Sequence, residues 1–153
     1  GETEEPVLQI TPTPIQEEAL RALQDSRREG RKRALLVMAT GLGKTFVSIF
    51  DSQQTRASRI LFLAHRRELL SQAANSFRLL YPKARFAWFA ASKSDRVGDI
   101  FFASIQKIRR HLELFPRDFF DYIIIDEVHH VQLSWRRVQA SGFFLERDLH
   151  HCL

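Results

Sequence analysis

At 153 residues, with 44% hydrophobic and 27% charged side chains and only 6 glycines and 5 prolines, the chain suits one globular domain; it is too short for two of ordinary size and too ordered in composition for a disordered or fibrous class. The 23 Lys and Arg against 18 Asp and Glu leave a formal charge of +5, densest at Arg27, Arg28, Arg31, Lys32 and Arg33 and again at Arg109, Arg110, Arg136 and Arg137; this excess is compatible with a polyanionic partner and equally with a solvated basic surface. No apolar run approaches the roughly 20 residues that cross a bilayer, the opening Gly1-Glu2-Thr3-Glu4-Glu5 is acidic where a secretory signal is basic, and a lone Cys152 forms no internal disulfide, so an intracellular chain without a membrane partner is expected.

Pro6, Pro12 and Pro14 with the acidic cluster make residues 1–13 an extended lead-in. Ile15, Ala19, Leu20 and Leu23 then recur at helical spacing, predicting a helix over 14–28 that Gly30 ends. A continuous apolar run at 34–39 predicts a strand buried on both faces, followed at once by Thr40-Gly41-Leu42-Gly43-Lys44-Thr45 and by Phe46, Val47, Ile49 and Phe50 at helical spacing. The alternation repeats with a strand at 60–64 and a helix over 65–80 that carries Leu69, Leu70, Ala73, Phe77 and Leu80 on one side and stops at Pro82. Residues 86–91 and 100–103 are further strand candidates, and Ser104 can cap a helix through about Leu114. Tyr122-Ile123-Ile124-Ile125 is the clearest buried strand and runs directly into Asp126-Glu127, whereas 139–153 shows no clear strand. Strands alternating with helices predict an α/β fold, a mostly parallel sheet covered by helices on both faces.

Gly43-Lys44-Thr45 closes a loop between strand and helix, where backbone N–H groups at a helix N-terminus point at an anion. Lys44 is suited to neutralise β/γ phosphates and the Thr45 hydroxyl to ligate Mg²⁺; Met38 stands where the usual pattern has glycine. A plain glycine turn that ends in Lys-Thr is the rival reading, and the flanking strand and helix count against it. Asp126 and Glu127 emerge at the C-terminal end of a buried strand, where open α/β sheets bind ligands. There Asp126 can hold Mg²⁺ and Glu127 can orient or deprotonate an attacking water. His129, beside His130, reads as a polar contact linking this site to other elements, since no ligand cluster supports zinc. The Gln16 amide offers the donor and acceptor that read an adenine edge. His65, Arg66 and Arg67 at one helix start, and Ser104, Gln106 and Lys107 at another, suit contacts with a phosphate backbone, or equally ordinary exposed caps. The Phe pairs 101–102, 119–120 and 143–144, with Trp88 and Trp135, read as packing residues.

In order along the chain, Thr13-Pro14-Ile15-Gln16 resembles the glutamine motif of DEAD-box and related helicases, and the stretch from Met38 to Thr45 resembles motif I of superfamily-two helicases. Residues 63–73, around His65-Arg66-Arg67-Glu68, resemble motif Ia, Phe102-Ala103-Ser104-Ile105-Gln106-Lys107 is similar to the next nucleic-acid-contacting motif, and Asp126-Glu127-Val128-His129-His130 resembles a DExH motif II. The likeness spans about 11–130 and lies nearest the type III restriction and excision-repair branch of DExH proteins. It implies a RecA-like P-loop NTPase domain that uses ATP and Mg²⁺ on nucleic acid, DNA in preference to RNA, in the cytoplasm, nucleoid or nucleus. Carried over residue by residue, it implies Lys44 and Glu127 as catalytic, Gln16, Thr40, Gly41, Leu42, Gly43, Lys44 and Thr45 as nucleotide-binding, and Thr45 and Asp126 as metal ligands. It further implies His65, Arg66, Ser104 and Gln106 at the nucleic acid, with His129 coupling the sites.

The chain departs from that pattern after motif II: no Ser-Ala-Thr or Thr-Ala-Thr triplet, no strand to carry one, and no second RecA-like domain with its arginine finger. The expected partition is a lead-in at 1–13, the ATP-binding domain at 14–138 and a divergent tail at 139–153, a fragment incomplete at its C-terminus that binds nucleotide and hydrolyses it slowly. The alternatives are a non-catalytic, nucleotide-dependent nucleic-acid-binding module and, less favoured for want of a lid-like arginine cluster, a small-molecule kinase.

Overall fold

The structure, a computed structural model, describes residues 9–31, 33–36, 41–116, 118–126 and 143–147. Helix α1 spans Pro14–Arg28. Its start is a capping box: the Thr13 hydroxyl accepts from Gln16 N and the Gln16 side chain accepts from Thr13 N. Its end is set by Gly30 at φ +82°, a left-handed position open to glycine, with Gly30 N donating to Arg27 O and Arg31 N to Ser26 O, the paired bonds of a Schellman stop. Strand β1 covers Arg33–Leu36, four residues precede α2 at Gly41–Gln54, and β2 follows at Ile60–Ala64. Then come α3 at Arg67–Leu80, β3 at Phe86–Ala90, the short β4 at Lys93–Ser94 and β5 at Ile100–Ser104. Helix α4 is a short Ile105–Arg110 piece continued by a 3-10 turn at Leu112–Leu114, where one helix through Leu114 was expected. Strand β6 is Tyr122–Asp126, and β7 is Phe143–Arg147.

The seven strands form one sheet in the order β1-β7-β6-β2-β5-β3-β4, parallel except for the β3–β4 hairpin. The fold is therefore the expected mostly parallel α/β sheet, and the central strands alternate between two cores. Ile60, Phe62, Ile100, Phe102, Tyr122 and Ile124 face α1, α2 and α3. Leu61, Leu63, Phe101, Ala103, Ile123 and Ile125 face α4 and the phenylalanines at 115, 119 and 120. This double burial is why these strands read as unbroken apolar runs, and the expected packing role of Phe101, Phe102, Phe119 and Phe120 is what the edge-on ring contacts deliver.

One expectation is corrected. The stretch 139–153 contains a strand, β7, and it is not peripheral: it lies between β1 and β6 and pairs in parallel with both. Three apolar residues followed by Glu146-Arg147 are too short a run to tell strand from loop by periodicity, and strand identity here comes from partners remote in sequence.

Candidate functional site

The register places Asp126 and the end of β1, which leads into α2, along one edge of the sheet. In the parallel ladder Leu36 of β1 is level with Arg147 of β7, and Arg147 is level with Asp126 of β6. At about 4.8 Å per strand, the chain leaving β1 for α2 starts roughly 10 Å from the Asp126 backbone. Four residues later α2 begins, so its first turn, with Gly43, Lys44 and Thr45, follows that sheet edge within a short length of chain. Lys44 is fully buried, Thr45 nearly so, and Asp126 is 4% exposed. Side chains of these types are charged or strongly polar and are kept inside proteins only where other groups compensate them. The Ser48 hydroxyl donates to Lys44 O, and the Gln16 amide nitrogen reaches Gly43 O at 3.5 Å, tying the start of α1 to the start of α2. Thr40, Glu127 and His129 lie outside the described residues, and of Gly41 and Leu42 the structure describes the helical backbone.

Thr45 and Asp126 present hard oxygen donors on one edge. Such oxygens are the donor type that Mg²⁺ takes alongside waters and phosphates, so these residues fit the ion in kind; among the described residues no group of three or more His, Cys, Asp or Glu side chains gathers that could hold a metal ion.

The second candidate set gathers at the next two strand ends. Ala64 of β2 pairs with Ser104 of β5, which puts His65 and Arg66 beside the start of α4, and the Gln106 amide donates to His65 O at 3.4 Å. Arg66 is the N-cap of α3, is exposed, and makes no side-chain cap bond. Ser104 caps α4 by accepting from Lys107 N. Lys107 itself is committed elsewhere: its ammonium donates to the Ala91 and Lys93 carbonyls and to Ser94, and lies 4.7 Å from the Phe89 ring centroid. It staples the β3–β4 hairpin and does not join the polar patch. Arg27, counted among the basic excess, also turns inward.

That inward contact belongs to a network invisible in the sequence motifs. Asp51, on α2 and fully buried, accepts from Arg27 Nη2 at 2.6 Å and from the Tyr122 hydroxyl at 2.7 Å. Three elements meet there: α1, which begins at the glutamine motif, α2, which begins at the phosphate loop, and β6, which ends at Asp126. Burial, reinforced by the Asp51 carboxylate, pushes the Tyr122 phenol well above its ordinary range, so it remains a donor. Nearby, Ser52 shares a hydrogen bond with Tyr81, whose phenol burial also raises. The available sequence signal was a lone acid, Asp51, on the apolar side of a helix.

Known proteins align with the same span. Residues 9–145 match the family described as the type III restriction enzyme, res subunit. IRC3 of Saccharomyces cerevisiae, an ATP-dependent helicase by name, is 32% identical over 136 residues, which cover 80% of this chain and 20% of that protein. The UvrABC system protein B of Aster yellows witches'-broom phytoplasma is 31% identical over 139 residues, 91% of this chain and 19% of its own. A solved fragment named as an HsdR subunit of a type I restriction enzyme from Vibrio vulnificus YJ016 superposes with a TM-score of 0.65 at 31% identity, over 92% of this chain and 26% of that one. The chain spans about a fifth of the length of these curated relatives. The matched family, the shared sheet and the order of motifs along its edge together make this chain a RecA-like domain of the superfamily-two helicases, a member of the type III restriction res-subunit family in the restriction and repair branch.

Proposed function

We propose that the chain is the ATP- and Mg²⁺-binding part of a motor that couples ATP hydrolysis to movement on nucleic acid, DNA in preference to RNA. The observation that supports this reading best is that β1, whose chain leads on into α2, and β6, which ends in Asp126, finish on one sheet edge, two strand spacings apart. In this reading the backbone N–H groups of Thr40, Gly41, Leu42 and Gly43 and the positive end of α2 cradle the phosphates. Lys44 draws in the β/γ oxygens, and burial of its ammonium strengthens that attraction relative to water. Thr45 and Asp126 hold Mg²⁺, which would offset charge on the phosphates when bound. Glu127 orients the attacking water, His129 relays the state of the site, and the Gln16 amide, whose nitrogen is held only loosely at 3.5 Å from Gly43 O while its oxygen accepts from Thr13 N, serves the adenine edge. His65, Arg66, Ser104 and Gln106 carry the phosphate backbone of the nucleic acid. Complete catalysis calls for a second RecA-like domain on a longer chain.

The test is direct. Lys44→Ala should abolish ATP binding in equilibrium dialysis while circular dichroism stays that of the parent; unchanged affinity removes the phosphate-loop assignment. Phosphate release measured with and without DNA, in the parent and in Glu127→Gln, then separates a motor from a binding module. DNA-stimulated turnover lost in Glu127→Gln supports the motor, and nucleotide binding with no turnover, even after addition of a second RecA-like domain, supports the module.

A further inference from the structure

A cavity of about 350 Å³ lies between the first turns of α3 and the β3–β4 hairpin, with Arg67, Leu70 and Ser71 on one wall and Trp88, Ala90 and Lys93 on the other. We propose that it receives one base of a single-stranded nucleic acid, stacked on the Trp88 indole, with an adjoining phosphate held between Arg67 and Lys93. The inference rests on the nucleic-acid reading above and adds a base-binding subsite to it.

Size is the first constraint. A cavity at the low end of the roughly 300–1,000 Å³ of small-ligand sites accommodates a nucleotide-sized group and not a helix or a duplex. The chemistry of the walls is the second. Trp88 is half-buried, backed by Phe102, its partner in register, at 5.1 Å and a 31° tilt, so the indole is firmly seated. Its backbone is fixed as well, because Trp88 N donates to the Asp95 carboxylate and Asp95 N donates to Trp88 O. Lys93 Nζ lies 5.8 Å from the indole centroid, near the outer limit of about 6 Å for a cation–π contact, and can turn to a phosphate at little cost. Arg67 is exposed in the first turn of α3. An aromatic platform flanked by cations is the equipment of sequence-tolerant single-strand binding.

Two further observations place the cavity in a functional setting. Its rim includes Ala91 at φ +51°, the left-handed conformation that the two-residue turn between Ala90 and Lys93 demands, and the Lys107 ammonium fixes that turn by binding the Ala91 and Lys93 carbonyls. The cavity also opens on the edge that carries the polar patch. Phe89 of β3 pairs with Ala103 of β5, the next residue, Ser104, pairs with Ala64 of β2, and Arg66 and Arg67 are consecutive. The ends of β2 and β3 are two strand spacings apart, about 10 Å. A strand whose phosphates follow His65, Arg66 and Gln106 therefore passes the cavity mouth within a nucleotide or two.

The experiment uses a short fluorescein-labelled oligothymidylate and an abasic strand of the same length, with binding followed by anisotropy. Trp88→Leu should weaken binding of oligothymidylate by roughly 5- to 150-fold, the range for loss of one stacked base. It should leave the abasic strand unaffected. Arg67→Ala should weaken both strands and lower the salt slope by about one. Should Trp88→Leu fail to fold, Trp135→Phe leaves Trp88 as the sole indole, and its fluorescence should be quenched by oligothymidylate and not by the abasic strand. Equal binding by Trp88→Leu and parent, or an unquenched Trp88 at saturation, overturns the subsite while the nucleic-acid reading stands. If the parent binds neither strand even at low salt, the nucleic-acid reading and the subsite fall together.

Discussion

Removing one oxygen, in Tyr122→Phe, isolates the contribution of the buried junction between α2 and β6. The hydroxyl donates to Asp51 Oδ2 at 2.7 Å, and both residues are fully buried. A hydrogen bond to a charged acceptor is worth about 1.5–3 kcal/mol, and phenylalanine keeps the ring, so little packing is lost. Arg27 stays at 2.6 Å from the same oxygen, which holds the cost below the ~3–5 kcal/mol of stripping a buried charge of its partner. We expect a loss of about 2 kcal/mol, read in urea as a midpoint lower by about 1 M at unchanged slope. The Tyr122→Phe and Asp51→Asn double-mutant cycle should show a coupling of at least about 1 kcal/mol.

The pH dependence has a definite sign. Because the folded phenol holds its proton more tightly than an unfolded tyrosine, which ionises near 10, this contribution is intact below about pH 10 and fades as pH rises beyond it. Tyr122→Phe should flatten the alkaline limb, leaving the smaller part due to Tyr81. A change below about 0.5 kcal/mol together with zero coupling would refute the view that Asp51 joins the two elements.

Gly98→Ala should destabilise by about 1–3 kcal/mol in urea unfolding, since the new methyl would sit 2.8 Å from Ala87 Cβ and 3.1 Å from Arg85 O; a neutral result would mean the loop can yield. Ser104→Ala removes the acceptor for Lys107 N and should cost about 1 kcal/mol, checked by thermal unfolding. Arg66→Ala, at an exposed position, should leave stability within about 0.5 kcal/mol and reduce the salt slope of oligonucleotide binding by about one. An unchanged slope would take Arg66 out of the phosphate contacts.

Much of the layout could be read from residue order because the central strands are buried on both faces. Ile60 to Ala64 and Tyr122 to Ile125 are runs that a covered parallel strand explains, and Pro14 and Gly30 marked the two ends of α1 through their own backbone chemistry. The shared sheet edge was legible too, since a strand followed by a glycine loop and another followed by acids end on the same edge when the strands are parallel. What escaped was whatever depends on remote partners. Phe143-Phe144-Leu145 becomes a strand through β1 and β6, Lys107 leaves the polar patch for the carbonyls of a hairpin folded thirteen or more residues earlier, and Arg27 exchanges solvent for Asp51. None of these choices is encoded in a local window.

The placement of β7 has a consequence for the order of assembly. Arg33 pairs with Phe144, so β1 acquires its described neighbour only when a segment more than a hundred residues downstream arrives. During vectorial synthesis β2, β5, β3 and β6 can associate, with α2 packed on them, while β1 waits outside the ladder. The β1 side of the sheet should therefore be the last part of the domain to mature, and the step that closes it spans the longest sequence separation among the described strand pairings.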